Sequence, residues 1–163
     1  MSVYEEAIEN KAELVKVRRH LHQYPEVSMK EFQTAEYIRK YLDEHGISWE
    51  KAGETGTVAL VRGRCEDCVI GLRGDIAALE MEALNKSSYC SKNPGLMHAC
   101  GHDGHTAALL GAAVYLQEHR EELSGTVKLI FQPGEENGQG ARSIVESGAI
   151  DDVEGIFGLH VSS

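Results

Sequence analysis

The sequence lacks any apolar run near the roughly 20 residues that a membrane span requires. Its first residues, Met1-Ser2-Val3-Tyr4-Glu5-Glu6, have neither the basic nor the apolar region of a secretory signal. Cysteine is sparse: Cys65, Cys68, Cys90 and Cys100 are too few and too irregularly spaced for a secreted disulfide scaffold in a chain of 163 residues. Cytoplasmic location is therefore the default expectation. Positive charge is also scarce, with 16 Lys+Arg against 26 Asp+Glu and a formal net charge of -10. Val17-Arg18-Arg19-His20 is the longest basic cluster. A phosphate-backbone binder needs a positive stripe, so neither nucleic acid nor a membrane is an expected partner. Internal repeats, low-complexity tracts and linkers are missing too, which leaves one domain.

What is present is ordinary globular material, 42% hydrophobic and 26% charged. Residues from about Tyr4 to Gln23 read as one helix with a stripe of Ile8, Leu14, Val15, Val17 and Leu21, stopped by Pro25. Ser28-Met29-Lys30-Glu31 has the pattern of a capping box. The helix it would open runs to about Glu44, with Phe32, Ala35, Ile38 and Leu42 buried and Gly46 at the C-terminal cap. Then the period changes. Ile47–Glu50, Thr57–Arg62, Val69–Arg73, Thr126–Phe131 and Ile156–His160 are short, β-branched or apolar runs that read as strands. Residues 74 to 98 read as irregular. Gly104 to about Glu122 is an Ala-rich helix whose small residues suit close packing on a sheet, and Gly140–Ser147 is a shorter helix before Gly148. Such alternation predicts a layered α/β domain with a largely parallel sheet.

Polar clusters follow the strands. Asp75 ends the Val69 strand, Glu135-Glu136 follow the Thr126 strand through Gln132-Pro133-Gly134, and His160 closes the last. In open α/β sheets the carboxyl ends of strands form the ligand crevice, so these groups can converge there. The densest cluster is His98-Ala99-Cys100-Gly101-His102-Asp103-Gly104-His105. Imidazole, thiolate and carboxylate are the ligands that suit zinc and other divalent transition metals. The bland alternative is a polar helix start, with Asp103 as cap and solvated histidines. Adjacent glutamates are often no more than a solvated charge run. Here they lie between Gly134 and Gly138, where one can bind a metal while the other handles protons.

Cys65-Glu66-Asp67-Cys68 has no second ligand pair for a structural zinc and no helix start for redox chemistry. Cys90 reads as an incidental loop thiol, His20 and His22 as structural or surface groups, and Trp49 as core or edge packing.

Met97-His98-Ala99-Cys100-Gly101-His102-Asp103-Gly104-His105-Thr106-Ala107 resembles the signature of the M20 metallopeptidases. The resemblance is to the aminoacylase/hippurate hydrolase-like branch, which includes plant auxin–amino acid hydrolases. Arg18-Arg19-His20-Leu21-His22 with Pro25-Glu26, Leu72-Arg73-Gly74-Asp75, Phe131-Gln132-Pro133-Gly134-Glu135-Glu136 and Phe157-Gly158-Leu159-His160-Val161 follow in family order. The resemblance implies an α/β/α zinc-peptidase-like catalytic domain and two divalent ions, zinc, manganese, cobalt or nickel. It assigns Cys100, His102, Glu136 and His160 as ligands and Glu135 as general base. Asp75, His98, Asp103 and His105 would support the site through hydrogen bonds and helix capping. The implied reaction cleaves an N-acyl amino acid, such as an N-acetyl or hippurate-like substrate, to a carboxylate and a free amino acid.

Two departures stand out. Ala77 occupies a position where the family usually has a second acid, and Glu80 one where a proline is usual. Family members also continue into a lid and dimerisation domain, and then supply a further histidine. Residues 1–163 are thus expected to be the N-terminal part of a catalytic domain, of a protein that can form a homodimer. A non-catalytic metal-binding domain of the same descent is the alternative.

Overall fold

The computed structural model describes residues 2–65 and 68–161. Glu66 and Asp67, the centre of the CxxC pattern, lie outside the described residues. Five strands, β1 (Ser48–Ala52), β2 (Gly56–Arg62), β3 (Val69–Asp75), β4 (Thr126–Gln132) and β5 (Gly155–Gly158), form one sheet in the order β1-β2-β4-β3-β5. β3 runs parallel to β4 and β5, whereas β2 is antiparallel to both β1 and β4. All strands except β2 therefore point the same way, so the sheet is largely parallel, as the sequence reads, with one reversed strand. The tight β1–β2 connection at Gly53–Thr55 forces the reversal, because a parallel return needs a long crossover.

The alternation along the strands sorts side chains into two layers. Ala59, Val61, Val127, Leu129 and Phe131 face a core shared with Val17 and Leu21 of α2 (Lys11–Gln23), Ile38 and Leu42 of α3 (Phe32–Glu44), and Ala107 and Leu110 of α4 (His102–Glu118). Their neighbours Val58 and Ile130 face the other way, against Ile144 of α5 (Gln139–Glu146). This is an α/β/α sandwich. Among the described residues, no helix is long and apolar enough to cross a membrane.

Three local expectations need correction. The first helix is two: α1 (Val3–Glu9) and α2 meet at Asn10, and Ile8 is exposed rather than part of the stripe. The Ser28–Glu31 capping box does not form. Instead Glu26 accepts from the amides of Gln33 and Thr34, at 3.2 and 2.8 Å, so the first turn of α3 is capped from further upstream. Phe32 is exposed, and Thr34 and Tyr41 take buried places beside Ala35, Ile38 and Leu42. Gly46, at φ 65°, ends α3 as expected. Residues 76–98 form no helix or strand, but bridges Val27–Ala78 and Leu79–Met97 tie them down beside the carboxyl end of β3.

Candidate metal centre

β3, β4 and β5 all present their carboxyl ends to one rim, and α4 begins there. Gly101 sets this start with φ 85°, a left-handed conformation that turns the chain sharply between Cys100 and His102. An added Cβ there would lie 2.5 Å from Val161 Cγ2, so the residue also lets the segment after β5 approach α4.

His102 is fully buried at the centre. Its Nδ1 lies 2.7 Å from the carbonyl of Ala77, and only a protonated Nδ1 can donate to that oxygen. Nε2 then carries a lone pair, and among the described residues it has no hydrogen-bond partner although it is buried. Around it stand Asp75 Oδ2 at 3.7 Å, Glu136 Oε1 at 3.7 Å and Glu135 Oε2 at 3.8 Å. These separations are too long for hydrogen bonds. They approach the spacing of about 3.4 Å between two ligands of one tetrahedral zinc, each about 2.1 Å from the ion. Cys100, His102 and Glu136 each bring one donor atom within 4.8 Å of the others. His160 joins them, its Nε2 3.4 Å from Cys100 Sγ and its Nδ1 2.5 Å from the Val161 carbonyl. An orphaned imidazole lone pair amid carboxylates and a thiol is a donor set that fits a divalent cation.

Asp75, His102, His105 and His160 also cluster within 4.8 Å, but His105 has both nitrogens committed. Its Nε2 accepts from the Val161 amide at 3.0 Å, so its Nδ1 carries the proton and donates to Asp75 Oδ1 at 2.5 Å. Asp75 Oδ2 accepts from Arg73 Nη1 at 2.7 Å, and Arg73 Nε donates to Gln132 at 3.0 Å. Burial pushes the Asp75 carboxyl up. The hydrogen bond from His105 and the neighbouring Arg73 guanidinium outweigh it, and the pKa falls below the ordinary carboxylate value. Burial raises the Cys100 thiol, and the charge and hydrogen bond of Glu136 raise it further. A cation in this cluster would oppose that trend, because metal binding draws the proton off a thiol.

The supporting residues divide. His105 hydrogen-bonds the Asp75 carboxylate. Asp103 does not cap α4; its Oδ2 accepts from Arg18 and His22, at 3.3 and 2.9 Å, and ties α2 to the first turn of α4. His22, read from the sequence as a structural or surface group, is thus buried against Asp103. His98 is buried, both its ring nitrogens lack a hydrogen-bond partner among the described residues, and burial lowers its pKa to about 4. It therefore makes no supporting hydrogen bond. The backbone of Ala77 orients His102, so that function needs no side chain at position 77. Arg73 was passed over by sequence reasoning, although its place two residues before Asp75, on the same strand face, was a readable signal.

A model of peptidase family M20/M25/M40 matches residues 71–163. The chain is 48% identical over 149 residues to an N-acetyl-L-cysteine deacetylase of Bacillus subtilis, covering 91% of this chain and 36% of that protein. It is 46% identical over 151 residues to an IAA-amino acid hydrolase of Arabidopsis thaliana, covering 92% and 34%. A solved Bacillus subtilis structure, described as a dinuclear metal-binding peptidase of the M20 family, superposes with a TM-score of 0.90 at 42% identity. That match covers 93% of this chain and 43% of the other. The chain spans about a third of the length of these two curated relatives.

Proposed function

Because the chain belongs to peptidase family M20/M25/M40, we propose that it forms the metal-centre part of an amidohydrolase that cleaves N-acyl amino acids, of the N-acetyl or hippurate-like kind. The observation that carries this reading is the buried, unpartnered Nε2 of His102, aimed at Asp75, Glu135 and Glu136. Cys100, His102, Glu136 and His160 would hold two divalent ions, zinc, manganese, cobalt or nickel. Such ions supply Lewis acidity, which polarises the amide carbonyl and makes water a better nucleophile.

The chain's own residues then do the following. Ala77 fixes the His102 tautomer, while Arg73 and His105 hold Asp75 beside it. Glu135, with 37% of its side chain exposed, can face a substrate. It takes a proton from water as the water oxygen bonds to the acyl carbon. It returns that proton to the nitrogen as the C–N bond breaks, giving a carboxylate and a free amino acid. Residues 1–163 would be the N-terminal part of the catalytic domain, with a lid and dimerisation domain and a further histidine supplied elsewhere in the polypeptide. A reduced thiol at Cys100 suits a cytoplasmic setting.

The test measures amino acid release from N-acetyl and N-benzoyl amino acids by the polypeptide that carries this chain. Chelation should abolish release. Glu135→Gln should lower it by about 10²–10⁴-fold with metal content unchanged. Release that survives exhaustive chelation and persists in that variant would sink the proposal. Ala77, in place of a usual acid, favours a second reading, a metal-binding domain without turnover. Stoichiometric metal with no substrate cleavage would select it.

A further inference from the structure

A carboxyl group sits where it does not belong by burial alone. Glu31 is fully buried, and removing a carboxyl from water costs several kcal/mol unless its oxygens are satisfied. Its partners are specific. Oε2 accepts from the Thr55 hydroxyl, itself buried, at 2.8 Å. Oε1 accepts from the Gly134 amide at 2.8 Å, across 103 positions of sequence. Gly134 opens the turn that carries Glu135 and Glu136, and the turn closes through Gly138 N to Glu135 O at 3.0 Å.

The backbone around Glu31 is bent to meet this turn. Met29 has φ 65°, which a long side chain rarely adopts. Its thioether lies against Gly134, where an added Cβ would come within 2.4 Å of Sδ. Gly134 is itself left-handed, at φ 53°. Strain on one segment and a buried carboxyl on the same segment both serve one contact with the Glu135–Glu136 turn.

We propose that Glu31 is a positioning residue: its buried carboxyl, braced by Thr55, grips the Gly134 amide and so fixes where Glu135 and Glu136 meet His102. This rests on the reading of those two glutamates as working groups of the metal centre. Glu31 touches neither substrate nor ion. An apolar residue of similar size would fill its volume but leave the Gly134 N–H buried without an acceptor. Glutamine would serve, since its amide oxygen can take the Gly134 N–H while its NH₂ donates to the Thr55 hydroxyl.

The experiment compares the full chain with Glu31→Leu, Glu31→Gln and Thr55→Val. Co²⁺ affinity, the visible spectrum of bound Co²⁺ and hydrogen exchange over residues 132–138 are the readouts. Glu31→Leu should weaken Co²⁺ binding about 10–100-fold, alter the spectrum and speed exchange in that segment. Glu31→Gln should resemble the unaltered chain in all three. A folded Glu31→Leu with unaltered affinity, spectrum and local exchange overturns the proposal. So does a Glu31→Gln protein as impaired as Glu31→Leu. If Glu31→Leu does not fold, Thr55→Val decides: faster exchange over 132–138 with a smaller loss of Co²⁺ affinity supports the proposal, and no change in either refutes it. If the unaltered chain binds no Co²⁺, the metal reading fails by itself, and exchange over 132–138 alone decides the part of Glu31.

Discussion

Replacing Asp75 by Asn tests the electrostatic frame of the site without changing its shape. The side chain is fully buried and has two donors fixed on it, His105 Nδ1 at 2.5 Å and Arg73 Nη1 at 2.7 Å. An asparagine amide has one acceptor and one NH₂ group. Whichever way it turns, the NH₂ meets a donor, because His105 cannot move its proton while Nε2 accepts from the Val161 amide. One charge-assisted hydrogen bond is lost, worth about 1.5–3 kcal/mol, and a buried donor is left unpaired. Complete rupture of a buried pair costs about 3–5 kcal/mol. Arg73 keeps 24% side-chain exposure and can turn part of its guanidinium to water, so the expected cost is about 3 kcal/mol. Urea unfolding at neutral pH measures it, provided one transition is seen. The folded pKa of Asp75 lies below its unfolded value, so its contribution is present above the unfolded carboxylate range. It is lost as pH falls through the folded pKa. The gap between the two proteins should therefore close towards acid. A change under about 1 kcal/mol at neutral pH, or a gap that widens on acidification, would refute the reasoning.

Further outcomes follow from other parts of the fold. Leu110→Ala opens a cavity in the core between α4 and the sheet, where Leu110 is fully buried; unfolding free energy should fall by about 2–5 kcal/mol in the same assay. Gly101→Ala forces a left-handed Cβ against Val161, and should weaken Co²⁺ binding more than it lowers the melting temperature. His119 bridges Glu6 of α1 and Glu122, at 2.9 and 3.0 Å, while stacking on Tyr115, and those carboxylates raise its pKa. Its contribution is present below the ordinary imidazole value of about 6.5 and lost as pH rises through the raised folded value. Hydrogen exchange in α1 should accelerate over that rise in the unaltered chain, and be independent of pH, after correction for intrinsic rates, in His119→Gln.

Strands and the later helices were readable because their signals are local. Val69–Arg73 and Thr126–Phe131 end within a residue or two of β3 and β4, and the small residues of α4 announced a tightly packed helix. In the fold they serve two neighbours: Ala107 faces the core, while Gly111 admits Leu14 of α2. The reversal of β2 was hidden, since strand direction depends on connection length more than on strand composition. Local patterns also misled. Ser28 and Glu31 have capping-box spacing, yet Glu31 is drawn inward by Thr55 and Gly134, and Glu26 takes over the cap. The convergence of Cys100, His102, Glu135, Glu136 and His160 was legible because each follows a strand or opens a helix at one rim. The bond from His22 to Asp103 was not, because it spans 81 positions and no periodic pattern encodes such a partner.

Diffraction from crystals of this chain loaded with Co²⁺, recorded at the cobalt absorption edge, addresses the metal centre most directly. The account predicts anomalous density within bonding distance of His102 Nε2, about 2.0–2.1 Å, with Cys100, Glu136 or His160 completing the coordination. Density confined to other sites, with His102 Nε2 hydrogen-bonded to a carboxylate instead, would contradict it.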